Sequence, residues 1–174
     1  MTTEDDIIGY TVAYDNEDIT FPVYVVVTIA VALFAVATVY ASPAVGLLAL
    51  VPTAYAYYNL PLLEAGRPRI GSGEYGLFVE GLGLIGWRAI KSIENEVTEF
   101  RGTPSRELVV SLRQPIAESL LVDWRQRPYF RRPMRLPWSM KDQRVIRIPL
   151  DIMDKPPADI HGTLVRMWQF YRGG

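Results

Sequence analysis

Residues 19–63 read ITFPVYVVVTIAVALFAVATVYASPAVGLLALVPTAYAYYNLPLL, and no Asp, Glu, Lys, Arg or His occurs among them. A water-soluble domain does not leave 45 consecutive residues uncharged. A bilayer core about 30 Å thick needs roughly 20 apolar residues per helical crossing, so the stretch has room for two crossings. In lipid only helices and closed barrels satisfy their own backbone, which makes the Val-rich first half a helix and not a strand. That first span runs from Ile19 to Tyr40, and Pro22 suits its first turn, where a missing N–H costs nothing. Ala41-Ser42-Pro43 forms the turn, and the second span follows from Ala44 to Leu60 with a kink expected at Pro52. Tyr40 closes the first span, and Tyr55, Tyr57 and Tyr58 crowd the end of the second, where aromatic rings belong at headgroup level. A cleavable signal peptide would need a positive leading region, which this N-terminus lacks.

Two crossings put both termini on one side. The nearest Lys or Arg residues to the spans are Arg67 and Arg69, since residues 1–18 and the turn carry none. The excess of cations on cytoplasmic flanks therefore predicts a multi-pass protein of the cytoplasmic (inner) membrane with both termini cytoplasmic. The chain divides into an acidic segment at residues 1–18, a transmembrane hairpin at 19–63 and a soluble domain at 64–174.

The net charge of −1 hides a segregation. Residues 1–18 hold six acids and no base, and this segment is expected to be ordered only by docking on a basic surface or a partner subunit. Residues 101–147 hold eleven bases and four acids, which in a membrane protein points first to anionic headgroups. There is no Cys, so disulfides and thiolate metal sites are excluded.

In the soluble part, Tyr75, Leu77 and Val79 alternate as in a strand, a glycine-rich turn comes next, and Leu84–Trp87 completes a hairpin. Residues 88–100 are ambiguous: Ile90, Ile93, Val97 and Phe100 have helical spacing, yet a short turn and a strand from Ile93 fits as well. Gly102–Ser105 reads as a turn, and 107–112 and 144–150 as strands. Pro157 and Asp159 open a terminal amphipathic helix with Ile160, Leu164, Met167, Trp168 and Tyr171 on one face. Trp87 and Trp168 are expected in the core. Strands followed by one such helix predict an α+β domain with a mostly antiparallel sheet.

With its order of two apolar spans, an Arg/Pro linker, Gly81-x-Gly83-x-x-Gly86-Trp87, Ile90, Ile93, then Ile148-Pro149-Leu150 and a helix from Pro157, the chain resembles small bacterial membrane proteins that carry a pleckstrin-homology-like domain behind a two-helix hairpin. The resemblance implies a bent antiparallel sheet capped by the C-terminal helix, and it carries no catalytic residues. The chain departs from the pattern by an insertion at residues 114–143.

Gly81–Gly86 matches G-x-G-x-x-G literally, but a dinucleotide site needs a helix opening at the last Gly inside a βαβ unit, so a glycine hairpin is expected and no cofactor. His161 is the only His, and Glu94, Glu96 and Glu99 read as a solvated strand edge, so neither a metal nor a catalytic set is expected. The insertion is different. Ile116, Leu120, Leu121 and Trp124 have the spacing of a helical face, and Arg125, Arg127, Arg131, Arg132 and Arg135 then interleave with Tyr129, Phe130 and Trp138. Such a stretch fits anionic lipid or a protein partner, and nucleic acid poorly beside a membrane hairpin.

Together these features predict a non-enzymatic accessory, assembly or scaffolding subunit of a larger membrane complex, of which respiratory and photosynthetic complexes are examples. The alternative is a free-standing lipid- or stress-responsive binding module.

Overall fold

The computed structural model describes residues 9–15, 17–64, 66–100 and 103–173. Within these the chain is α+β and forms two units. One comprises residues 15–65 and 128–135, and the other takes the residues before 15, then 66–127, and 136 onward.

The hairpin unit contains α1 (Glu17–Val39) and α2 (Pro43–Tyr58), joined by residues 40–42 and packed antiparallel along their lengths. Ser42 N donates to the Ala37 carbonyl at 3.0 Å, and Pro43 opens α2 at a position that needs no donor. Thr28, Thr38 and Thr53 donate their hydroxyls to backbone carbonyls three or four residues earlier, so these polar groups are satisfied inside the helices. Asn59 closes α2 by donating its amide to the Tyr55 carbonyl, and a 3-10 turn at Leu60–Leu63 comes after it. Among the described residues one helix, Thr20–Val39, is long and apolar enough to cross a membrane. At 16 residues α2 spans about 24 Å. The two-span expectation is therefore met in full only by the first helix.

The β unit holds two antiparallel sheets. The first orders β1 (Tyr10–Val12), β2 (Ile70–Ser72), β3 (Gly76–Val79), β4 (Gly83–Gly86) and β7 (Leu120–Asp123) as β1-β2-β3-β4-β7. The second orders β5 (Ile90–Phe100), β6 (Thr103–Leu112), β9 (Val145–Pro149) and β8 (Ser139–Asp142) as β5-β6-β9-β8. A four-residue helix, α3 (Ile116–Ser119), precedes β7, and α4 (Pro157–Tyr171) ends the fold.

The core arises from alternation. Leu77 and Val79 face inward from β3, Leu108 and Val110 from β6, and Ile146 and Ile148 from β9, all fully buried. Register pairs Val110 with Ile146 and Leu108 with Ile148, so buried side chains sit across from one another. Ile160 and Leu164 of α4 are fully buried as well. The helix touches both sheets: Met167 sulfur accepts from Ser72 Oγ, Tyr171 stacks on Trp87 at 6.4 Å, and His161 Nε2 lies 3.3 Å from the Ile93 carbonyl.

Several sequence expectations change here. The 88–100 segment is a 3-10 turn at Trp87–Ala89 followed by β5, and a bulge between Ile90 and Ser92 resets the alternation. Ile90 and Ile93 are both buried for that reason, and the three-residue spacing that mimics a helix is the bulge's imprint. Of the turn expected at 102–105, residues 103–105 already belong to β6, and Gly102 lies outside the described residues. Trp87 is buried and donates to the Gly73 carbonyl at 2.8 Å, whereas Trp168 is half-buried under the Arg172 guanidinium.

The N-terminal segment also differs from the expectation. Residues 10–14 are ordered by the sheet and not by the basic insertion. β1 pairs with β2, Val12, Ala13 and Tyr14 are buried, and Ala13 exchanges hydrogen bonds with Asp154. Lys155 donates to the Thr11 carbonyl and covers the Tyr10 ring at 4.2 Å. Glu4, Asp5 and Asp6 lie outside the described residues. The boundaries at 18 and 64 accordingly move: the β unit begins before the hairpin and resumes after it.

Candidate membrane and partner surface

The first candidate surface is the hairpin itself. The apolar stretch of α1 is only 11% buried. Val31, Val39, Leu47 and Val51 are each more than 60% exposed. Between the helices Val26, Ile29, Leu33, Leu48, Val51 and Pro52 line an open apolar groove of about 450 Å³, with Tyr55 at its end. Tyr40 is exposed at the turn, and Tyr55, Tyr57 and Tyr58 are exposed at the opposite end. Phe21 and Tyr24, near the start of α1, are exposed at that same open end. The apolar run gives these two rings no distinguishing neighbour, so the sequence does not single them out.

The insertion is not a loop with a helical face. Only α3 is helical, and Leu120 to Asp123 then extends the first sheet as β7, along β4. Gly83, at φ +134, lets the two strands close up, since a Cβ there would stand 2.0 Å from the Val122 carbonyl oxygen. The G-x-G-x-x-G motif is thus a β3–β4 hairpin, and the chain after Gly86 turns into β5 without opening a long helix. Ile116 is buried, Leu120 half-buried, and Leu121 and Trp124 are exposed, with Trp124 edge-on to Phe78 at 5.3 Å. The far end of the insertion supplies β8 to the second sheet.

Between those strands the basic residues part company. Arg125 grips Asp123 with its guanidinium, Nη2 at 2.6 Å and Nε at 3.0 Å from the carboxylate oxygens, and its backbone N–H donates to the same group at 2.9 Å. This donation holds the Asp123 carboxyl well down, at about 2, and raises Arg125. Arg125 is therefore a neutralised cation, because an acid lies two residues upstream, just before the acid-free run. Arg127 is half-buried in the β unit, and Trp138 is half-buried there with its indole N–H donating to the Glu80 carbonyl at 3.0 Å.

Residues 128–135 instead belong to the hairpin unit. The Tyr57 hydroxyl donates to the Phe130 carbonyl, and Arg135 N–H donates to the Tyr58 carbonyl at 2.8 Å. Tyr129–Arg131 makes a single 3-10 turn, with Tyr129 81% exposed and edge-on to the exposed Phe130 at 6.2 Å. Arg131 and Arg132 are exposed and Arg135 half-buried.

Arg67 and Arg69 also divide. Arg67 is exposed, with Nε 3.3 Å from Glu80. Arg69 is 1% exposed, paired with the Glu80 carboxylate and stacked over Tyr14 at 4.7 Å. A side chain enclosed in this way cannot meet a headgroup, so Arg69 is a core ion pair and not an interface cation. Glu80 is a central residue that the sequence does not reveal: it takes Arg67, Arg69 and, through its carbonyl, Trp138. No local pattern marks it, because its partners come from separate stretches. Among the described residues no group of three His, Asp or Glu side chains could hold a metal ion.

Compared with known protein families, characterised proteins and solved structures, the chain matches none.

Proposed function

We propose that this chain is a non-enzymatic integral protein of the cytoplasmic membrane. Its hairpin crosses twice, with both termini cytoplasmic, and its pleckstrin-homology-like domain serves as an accessory, assembly or scaffolding subunit of a larger membrane complex. The observation that carries the membrane part is an exposed, charge-free apolar hairpin inserted between two hydrogen-bonded strands. The chain leaves the first sheet after β1 and returns in β2, and Tyr10 pairs with Ser72 while Val12 pairs with Ile70. A sheet cannot form across a bilayer, so the number of crossings between these strands is even. If α1 crosses, α2 crosses back, and a helix of about 24 Å does so by local thinning of the bilayer. Two antiparallel sheets with a C-terminal helix on both support the pleckstrin-homology-like assignment. The subunit role draws support from the long basic, aromatic stretch at residues 125–138, in which Tyr129 and Phe130 are exposed.

The topology is tested with Ser42→Cys, the sole thiol in a chain without cysteine. It should react with an impermeant maleimide in intact cells, and labelling only after lysis would sink the arrangement. Gentle extraction and native mass measurement test the role: a stoichiometric assembly is expected, and a lone chain would refute it.

A further inference from the structure

Resting on the membrane reading above, we infer that residues 129–132 form a binding site for the phosphate of an anionic glycerophospholipid, held at the open end of the hairpin. Attachment sets the position of this loop. Tyr57 and Tyr58, in the last turn of α2, fix the Phe130 carbonyl and the Arg135 N–H, so the loop is held to the hairpin. Where α2 ends at a headgroup layer, this loop lies in that layer.

The side chains suit that depth. Tyr129 and Phe130 are exposed rings on one turn, and rings of this kind are stable where hydrocarbon meets water. Phe21 and Tyr24 add exposed rings at the same end of the unit. Arg131 and Arg132 stand exposed beside them, and no acid occurs between Asp123 and Asp142 in the sequence. Among the described residues Arg131 makes no ion pair. A guanidinium matches a phosphate with two parallel N–H donors, which a zwitterionic surface offers at a weaker potential. The site is narrower than the basic run from which it comes: Arg125 is held by Asp123, and Arg127 and Trp138 belong to the β unit.

The full chain tests this in nanodiscs. Tyr129→Cys and, as a reference, Phe34→Cys each carry a bimane, in discs of phosphatidylcholine with and without phosphatidylglycerol. Headgroup-level spin-labelled lipid should quench the fluorophore at 129, and native mass spectrometry should retain phosphatidylglycerol over phosphatidylcholine. The Arg131→Gln/Arg132→Gln chain should lose that preference by roughly fivefold per arginine, with tryptophan emission unchanged as the check on folding. An unquenched fluorophore at 129 that aqueous iodide reaches, an unchanged lipid preference, or a co-purifying protein that shields position 129 would each overturn the site. Quenching at 34 by acyl-chain spin labels keeps those failures separate from the membrane reading, since no quenching at 34 would sink the hairpin itself.

Discussion

Leu47 in the hairpin and Leu164 in the terminal helix are the same residue in the same kind of secondary structure, yet one is 67% exposed and the other fully buried. Valines repeat the contrast, although Val23 in the hairpin is buried and Val97 in the β unit is exposed. Val31, Val39 and Val51 stand outward, while Val12, Val79 and Val110 are enclosed. In the β unit apolar side chains find one another; in the hairpin they surround a two-helix contact too thin to enclose them. Water drives the β unit's burial at about 25 cal/mol per Å²; on the membrane reading proposed above, lipid tails would surround the hairpin, where hiding leucine gains little.

The sharpest test of the β unit's water-excluding core is its buried charge. Removing one partner of a buried ion pair leaves the other uncompensated, at about 3–5 kcal/mol. Glu80→Gln should approach the lower end of that range, because Glu80 itself keeps 21% of its side-chain surface. All four tryptophans, at 87, 124, 138 and 168, fall in the β unit, so their emission in detergent reports its melting selectively. An unchanged midpoint would mean that Arg69 does not depend on Glu80.

Next comes the leucine pair. Leu164→Ala should destabilise the β unit by about 2–5 kcal/mol. Leu47→Ala, measured in the same detergent, should change stability by less than about 1 kcal/mol, since an exposed side chain leaves no cavity. Equal losses at the two positions would mean that Leu47 is covered by protein, and the contrast between the units would fall.

The smallest effect concerns the clamp at the start of the basic run. Asp123 titrates at about 2 because Arg125 donates to it, below the ordinary 3.8. A lowered folded value means that the clamp's contribution is present above the unfolded pKa and is lost as pH falls through about 2. Its carboxyl signal by NMR should therefore stay in the ionised form at about pH 3, and Arg125→Gln should return the midpoint towards about 4. A midpoint near about 4 in the unaltered chain would show the clamp open in solution.

The hairpin was legible because its signal is additive along the chain: 45 uncharged residues need no partner to be read. So were the terminal helix, with Ile160 and Leu164 four apart, and the 107–112 and 144–150 strands, whose alternation is local. The presence of a basic, aromatic stretch at residues 125–138 was equally plain from residue order. Other features depend on partners far apart in sequence, and folding alone assigned them. β1 is a strand because β2, about 60 residues later, supplies its hydrogen bonds. Leu120–Asp123 is a strand because β4 lies open beside it, and that edge overrides a helical spacing of apolar residues. The five arginines look alike in the sequence, yet their fates differ. A carboxylate two residues upstream neutralises Arg125, the β unit half-buries Arg127, and hydrogen bonds from the last turn of α2 carry the other three to the hairpin. Charge and hydropathy are properties of residues and can be counted; pairing and burial are properties of neighbours, which only the folded chain assigns.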